Sequence, residues 1–517
     1  MLNWTALAVF IAFFLLVTAL GFVAARWRAG DLRQLHEWGL AGRRFGTVIT
    51  WFLIGGDFYT AYTVIAVPAA VFGTGAGGFF ALPYTIIVYP IVFLIMPRLW
   101  NVAKRHNYVT PADFVRGRYG SDLLALAVAL TGILAVMPYI ALQLVGIQVV
   151  IQSMGIAGSG FARDLPIIIA FVILAAYTYT SGLRAPAMIA VVKDVMIYTF
   201  VIVAVIVVPI KLGGYGHIFQ LAQAHFAASP ADGGIVIGPK GYWSFATLAL
   251  GSALAAFMYP HTITGVLSAS SSNVVKRNAA FLPAYTFLLG LIALLGYMVI
   301  AAGLHPATPS LAVPVLFNAL FPPWFVGFTF AAIAIGALVP AAIMSIAAAN
   351  LWTRNIYKAY LRRGLSDEGE ASMAKIASLA VKLGALAFVI GIPTQYAINL
   401  QLLGGIWIVQ TFPAIAIGLY GRWFHDRALL LGWLGGMVLG TWMSFAQGVK
   451  PLFSVGGITA YIGMEALVLN LLIAIIMTPI FDSMKVHRNA DETAGEDYGL
   501  PPDVITPTTT LGTAYPV

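Results

Sequence analysis

Residues 55–62 read Gly55-Gly56-Asp57-Phe58-Tyr59-Thr60-Ala61-Tyr62, near the middle of an apolar run from 46 to 72. Two glycines and a carboxylate suit a lipid-facing helix poorly. They suit a span that breaks, with its unwound backbone lining a cavity. Unwinding frees backbone amides for an anion and carbonyl oxygens for a cation. A tightly packed continuous helix with one buried polar group is the other reading of the same residues.

A second interruption lies at Met258-Tyr259-Pro260-His261-Thr262-Ile263-Thr264-Gly265. Pro260 removes a helical hydrogen bond, and Gly265 weakens the turn that follows. Apolar runs fall at 5–25, 46–72, 79–97, 122–153, 165–182, 186–210, 243–268, 279–302, 324–350, 376–392, 397–420, 428–446 and 458–480. That makes thirteen spans, with the two interrupted ones five apart. This spacing predicts two inverted five-helix repeats, at about 46–210 and 243–420, each opening with a discontinuous helix.

Composition agrees with an all-α polytopic membrane protein. The 517 residues are 60% hydrophobic and only 9% charged, too apolar for a soluble chain. There is no cysteine, which removes disulfides and thiolate chemistry. The net charge of +9 reflects topology rather than nucleic-acid binding. Of the 28 basic residues, 22 fall in segments that alternate to one side, while only Arg163, Lys211, Lys240 and Lys450 fall on the other. The positive-inside rule then places the N-terminus outside and the C-terminus in the cytoplasm. Residues 1–481 read as one transmembrane domain, and the polar stretch 482–517 as a disordered cytoplasmic tail.

Five charges lie inside spans: Asp57, Lys193, Asp194, Lys382 and Glu465. Each costs roughly 2.5–3.5 kcal/mol to insert. Lys382 lies near a cytoplasmic end and can snorkel, and Glu465 sits near an outer rim. Lys193-Asp194 is harder to explain away. Helical neighbours point about 100° apart, so the two are not expected to pair. Asp194 has Tyr198 one turn on, and Lys193 either snorkels or faces a cavity in reach of Asp57 or another acceptor.

In its motifs the chain resembles the sodium:solute symporter family. The marks are Leu40-Ala41-Gly42-Arg43-Arg44, Gly56-Asp57, Thr110-Pro111-Ala112-Asp113-Phe114, Arg118-Tyr119-Gly120, Pro260-His261 and Asn355-Ile356-Tyr357. The resemblance covers roughly residues 5–485 and implies thirteen spans with a leucine-transporter-type core on spans two to eleven. Within the family the chain is most similar to bacterial monocarboxylate permeases. Ser181-Gly182-Leu183-Arg184-Ala185-Pro186, Lys193-Asp194 and the passage from Pro340 to Arg354 suggest that branch.

The chain also departs from the family. Members often carry two adjacent hydroxyl residues in the ninth span that bind sodium. Here Val339 and Pro340 stand at those positions, with only Ser345 nearby. A lysine ammonium can take the electrostatic place of a bound sodium ion, or cycle a proton.

The resemblance implies a cation-coupled symporter of lactate, pyruvate, acetate or propionate in a bacterial inner membrane. An amino acid such as proline or a vitamin such as pantothenate is the alternative cargo. Substrate contacts are expected from Phe58, Tyr59, Thr60, His261, Thr262 and Thr264. Tyr139 and Gln143 either line the cavity or bond between helices. Trp407 and Gln410 either form a gate or pack in the core. Cation or proton coupling is expected from Gly56, Asp57, Lys193, Asp194 and Ser345. No organic cofactor is implied, and the coupling ion is sodium or a proton. The eight histidines are scattered and there is no HExxH, which argues against an enzyme.

Overall fold

A computed structural model describes residues 3–27, 30–156, 161–229, 233–391 and 398–499. Its helices are α1 (Trp4–Val23), α2 (Leu35–Leu40), α3 (Thr47–Phe58), α4 (Val67–Thr74), α5 (Ala81–Arg105), α6 (Pro111–Tyr119) and α7 (Asp122–Ser153). Next come α8 (Phe161–Ser181), α9 (Arg184–Lys211), α10 (Tyr215–Ala228), α11 (Tyr242–Ala256), α12 (Pro260–Leu267), α13 (Ser272–Phe281) and α14 (Pro283–Ala301). The chain continues with α15 (Ala312–Leu320), α16 (Pro323–Leu351), α17 (Asp367–Gly391), α18 (Ile398–Ile408), α19 (Asp426–Ala446) and α20 (Ile462–Ser483). A hairpin of β1 (Leu452–Val455) and β2 (Ile458–Tyr461) joins the last two helices.

Among the described residues, nine helices are long and apolar enough to cross a membrane, or up to 11 if each bent pair is one span. The bent pairs are the two interruptions expected above. Thr47–Phe58 and Tyr62–Thr74 meet at 42°, and Pro239–Ala256 and Pro260–Leu267 at 48°. Helices α8 and α17 carry the remaining expected apolar runs.

Helix α16 forms the centre, its apolar window buried throughout, while that of α1 is only 17% buried. Leu15, Leu16, Ile86, Leu94, Ile206, Ile210, Leu472 and Ile476 are exposed on the outside, the surface a bilayer would cover. Small residues bring backbones together. A Cβ on Gly327 would lie 2.2 Å from the Ala6 carbonyl oxygen, and one on Gly404 would lie 2.4 Å from that of Ala135.

The two broken spans are tied together at one end. Phe45 N–H donates to Ser268 O at 3.2 Å, and Ser270 N–H donates to Phe45 O at 2.9 Å. Two motifs far apart in the chain also meet. Thr110 Oγ1 donates to Asn355 Oδ1 at 2.7 Å, and Asn355 Nδ2 donates to Asp113 Oδ1 at 2.8 Å. Asp113 in turn closes a capping box at the start of α6.

The tail departs from expectation. Residues 484–499 fold back along the expected cytoplasmic face instead of lying disordered. Asp491 Oδ2 pairs with Arg118 at 2.5 Å and Arg422 at 3.3 Å, while Asp497 pairs with Arg105 at 3.0 Å and His106 at 2.8 Å. Tyr498 O accepts from Asn101 Nδ2 at 3.1 Å. A low-hydropathy segment is ordered here because its carboxylates meet arginines that the span ends already carry. The remainder of the expected tail, 500–517, lies outside the described residues.

Candidate functional site

The first break opens after Phe58, and its geometry follows from Gly55 and Gly56. A Cβ on Gly55 would lie 2.1 Å from the Tyr285 ring. One on Gly56 would lie 2.9 Å from Asp194 Oδ2 and 3.0 Å from Lys193 Nζ. The glycines therefore let α9 and α14 close onto the end of α3.

Lys193 occupies the space so made. Its Nζ donates to Gly56 O, and to Tyr59 O at 2.9 Å. It also lies 3.1 Å from Asp194 Oδ1, and both side chains are within 1% of full burial. The neighbouring residues thus do pair, contrary to expectation. The long lysine chain lets its ammonium reach the carboxylate although the Cα–Cβ bonds diverge. Snorkelling is excluded by the same contacts. Tyr285, not Tyr198, supplies the hydroxyl to Asp194, from Oη to Oδ2 at 2.7 Å. The Tyr198 hydroxyl has no partner among the described residues.

Asp57 makes no ion pair with Lys193, although the two charges are near enough to interact. Its Oδ2 lies 3.3 Å from His261 Nε2 on α12. The His261 ring meets Tyr139 edge-on at 5.5 Å and Tyr259 at 5.2 Å between centroids. Asp57, Tyr139 and His261 are therefore brought together between the two breaks.

The amides freed by the break are not open to an anion. Thr60 N–H donates to Thr63 Oγ1 at 2.8 Å, Ala61 N–H to Gln143 Oε1 at 3.2 Å and Tyr62 N–H to Thr60 Oγ1 at 2.9 Å. Thr60 and Gln143 thus cap the break internally, as buried backbone requires. Tyr59 donates its hydroxyl hydrogen to Tyr285 O. Phe58 packs near Tyr84 and Phe257. Thr262 Oγ1 donates to Ala256 O and Tyr259 O, both at 2.8 Å, so it caps the second break. Thr264 is buried on α12.

Three expected site residues lie elsewhere. Trp407 Nε1 donates to Thr441 Oγ1 at 3.0 Å, and Gln410 Nε2 donates to Gly463 O at 3.3 Å. Both face α19 and α20 because that side of α18 needs its polar groups satisfied against those helices. Ser345 joins no hydrogen bond with the Lys193 cluster. Its Oγ donates to Ala342 O at 2.8 Å and accepts from Ser378 Oγ at 3.2 Å, while Lys382 Nζ donates to Ser378 Oγ at 2.8 Å. Lys382 is 3% exposed, so it does not snorkel.

Tyr285 and Tyr62 were not anticipated. Tyr285 stands on a mostly apolar helix, and no spacing argument links it to position 194. Among the described residues the Tyr62 hydroxyl is buried without a partner, as are Asp57 Oδ1 and His261 Nδ1. A cavity of about 750 Å³ on the expected outer side is lined by Thr74, Gly77, Gly234, Lys240, Ser244 and Asn399, among others.

Two interrupted spans around a buried ionic centre, in a bundle of this size, define a secondary transporter of the leucine-transporter type. The family model for the sodium:solute symporter family matches residues 38–440, and the chain belongs to that family. A "Monocarboxylate transport permease protein" of Rhizobium johnstonii is 58% identical over 93% of this chain and 97% of its own length. The "Uncharacterized symporter YodF" of Bacillus subtilis is 35% identical over 93% of this chain and 94% of its own. The fold matches the solved structure of a Na⁺-coupled sialic acid symporter in a substrate-bound outward-open state. That match has a TM-score of 0.73 and 15% identity, and covers 92% of this chain and 98% of the other.

Proposed function

We propose that the protein is a cation-coupled symporter that takes up small monocarboxylates such as lactate, pyruvate, acetate or propionate by alternating access. Its place would be a bacterial inner membrane, with the N-terminus outside and the C-terminus in the cytoplasm. The 58% identity to a protein named for monocarboxylate transport supports that cargo over an amino acid or a vitamin. The cargo would lie between the two breaks, against Tyr139 and His261.

The observation that carries the coupling reading is Lys193 Nζ on the carbonyl oxygens of Gly56 and Tyr59. Two carbonyls and the Asp194 carboxylate form a seat for one positive charge, and an ammonium fills it. An ammonium tethered to α9 cannot leave with the cargo, so Lys193 acts as a resident cation. With that seat filled by Lys193, we read the coupling ion as a proton rather than sodium.

Uptake of labelled pyruvate into proteoliposomes, with sodium and pH gradients imposed separately, tests the reading. Accumulation driven by the pH gradient without sodium is expected. Accumulation that requires sodium and survives Lys193→Ala would overturn the resident-cation role. No uptake of any monocarboxylate would overturn the cargo.

A further inference from the structure

We propose that Asp57 and His261 form the proton-binding site, and that a monocarboxylate binds beside them only together with that proton. The proposal rests on the monocarboxylate reading and adds the group that carries the coupling ion.

The charge balance at the breaks leads to this pair. Lys193 and Asp194 neutralise each other at 3.1 Å, and Tyr285 holds the second oxygen of Asp194. That cluster offers an incoming anion no spare charge. The other buried carboxylate at the breaks, Asp57, belongs to the first broken span, and His261 follows Pro260 at the start of α12 in the second. Their contact at 3.3 Å therefore bridges the two breaks. Each has one polar atom at this contact and one buried without a partner among the described residues, Asp57 Oδ1 and His261 Nδ1. Unpartnered buried polar atoms carry a desolvation cost that a ligand can relieve.

The ionisable groups around the pair are few. Lys193 and Asp194 face it from α9, Tyr139 from α7, Tyr84 from α5, and Tyr62 and Tyr259 from the breaks themselves. Tyr285 lies on α14, and α16 has no charged residue from Pro323 to Leu351. With Asp57 ionised and His261 neutral, the pair repels a second carboxylate across a low-dielectric gap. One proton from solution onto His261 Nδ1 makes the imidazolium, which Asp57 balances through Nε2. The new Nδ1–H then donates to a carboxylate oxygen of the cargo. The proton and the anion enter as a neutral sum, and neither is favoured alone.

Asp57→Asn makes the idea sharp. An asparagine amide can donate to His261 Nε2, which fixes the neutral ring with its hydrogen on Nδ1. This variant should bind the anion without taking up a proton. Calorimetric titration of purified protein with pyruvate, in buffers of different ionisation enthalpy, counts protons bound per cargo. For the wild type we expect one proton, and an affinity that falls about tenfold per pH unit once the pair is deprotonated. For Asp57→Asn we expect none, with affinity independent of pH. Pyruvate binding to the wild type without proton uptake would overturn the proposal. So would Asp57→Asn that keeps the wild-type count, or that is folded by size exclusion and circular dichroism yet does not bind. If Asp57→Asn does not fold, the wild-type count decides alone. Absence of pyruvate, lactate and acetate binding by the wild type would instead remove the monocarboxylate reading beneath it.

Discussion

The Tyr285 hydroxyl donates to Asp194 Oδ2 at 2.7 Å, joining α14 to α9 behind the first break. The same ring fills the space left by the missing side chain of Gly55. One tyrosine thus serves as a packing wedge and as a hydrogen-bond donor. Tyr285→Phe keeps the wedge and removes the donor. A hydrogen bond to a charged group contributes about 1.5–3 kcal/mol, so the melting temperature in detergent should fall.

Lys193→Ala should have two effects. It leaves Asp194 buried without its cation, a loss of about 3–5 kcal/mol for a broken buried pair. It also empties a seat made of two carbonyls and a carboxylate. Sodium chloride should therefore raise the melting temperature of the variant more than choline chloride does. The wild type should show no such difference.

The two glycines at the break should differ in tolerance. A Cβ at position 55 meets a ring at 2.1 Å, whereas one at position 56 meets the far ends of flexible side chains at 2.9–3.0 Å. Gly55→Ala should lower stability by about 1–3 kcal/mol through overpacking, and Gly56→Ala by less. Thermal unfolding of the pair of variants gives the ranking.

The folded tail should depend on pH. Burial raises the Asp497 carboxyl, but hydrogen bonds from His106 and the Ala494 N–H, with the charges of His106 and Arg105, outweigh it and hold it below the ordinary 3.8. A depressed acid stabilises the docked state above its unfolded pKa and loses that contribution as pH falls through the folded value. Hydrogen exchange at residues 490–498, corrected for intrinsic rates, should show docking near neutral pH and release in strong acid. Asp497→Asn should be released at neutral pH as well.

Most of the spans and both breaks were legible because they rest on hydropathy and on Gly and Pro, which act locally. Lys193 was also legible as a residue needing a reason, since a charge inside a span needs a partner. Its partners were not. The carbonyl oxygens of Gly56 and Tyr59 leave no trace in side-chain identity, and helical-wheel spacing ignores the reach of a lysine. Asp57 was assigned to Lys193 because opposite charges attract, but the fold offers it His261 instead. For Trp407 and Gln410 the sequence left a gate and core packing both open, because a polar residue on an apolar helix does not reveal which neighbour it faces. Residues 484–499 of the tail were misread from composition, which cannot register that Arg118 and Arg422 await the Asp491 carboxylate.

The close approach at position 56 also bears on how such chains diverge. Gly56 is confined because Lys193 and Asp194 crowd the place of its side chain. A descendant that shortened residue 193 would vacate a cation seat and ease one side of that restriction in a single step, while Asp194 Oδ2 at 2.9 Å keeps the other. Positions 56 and 193 are thus expected to vary together. Alanine at 56 should be tolerated at a modest cost beside the lysine and more readily without it.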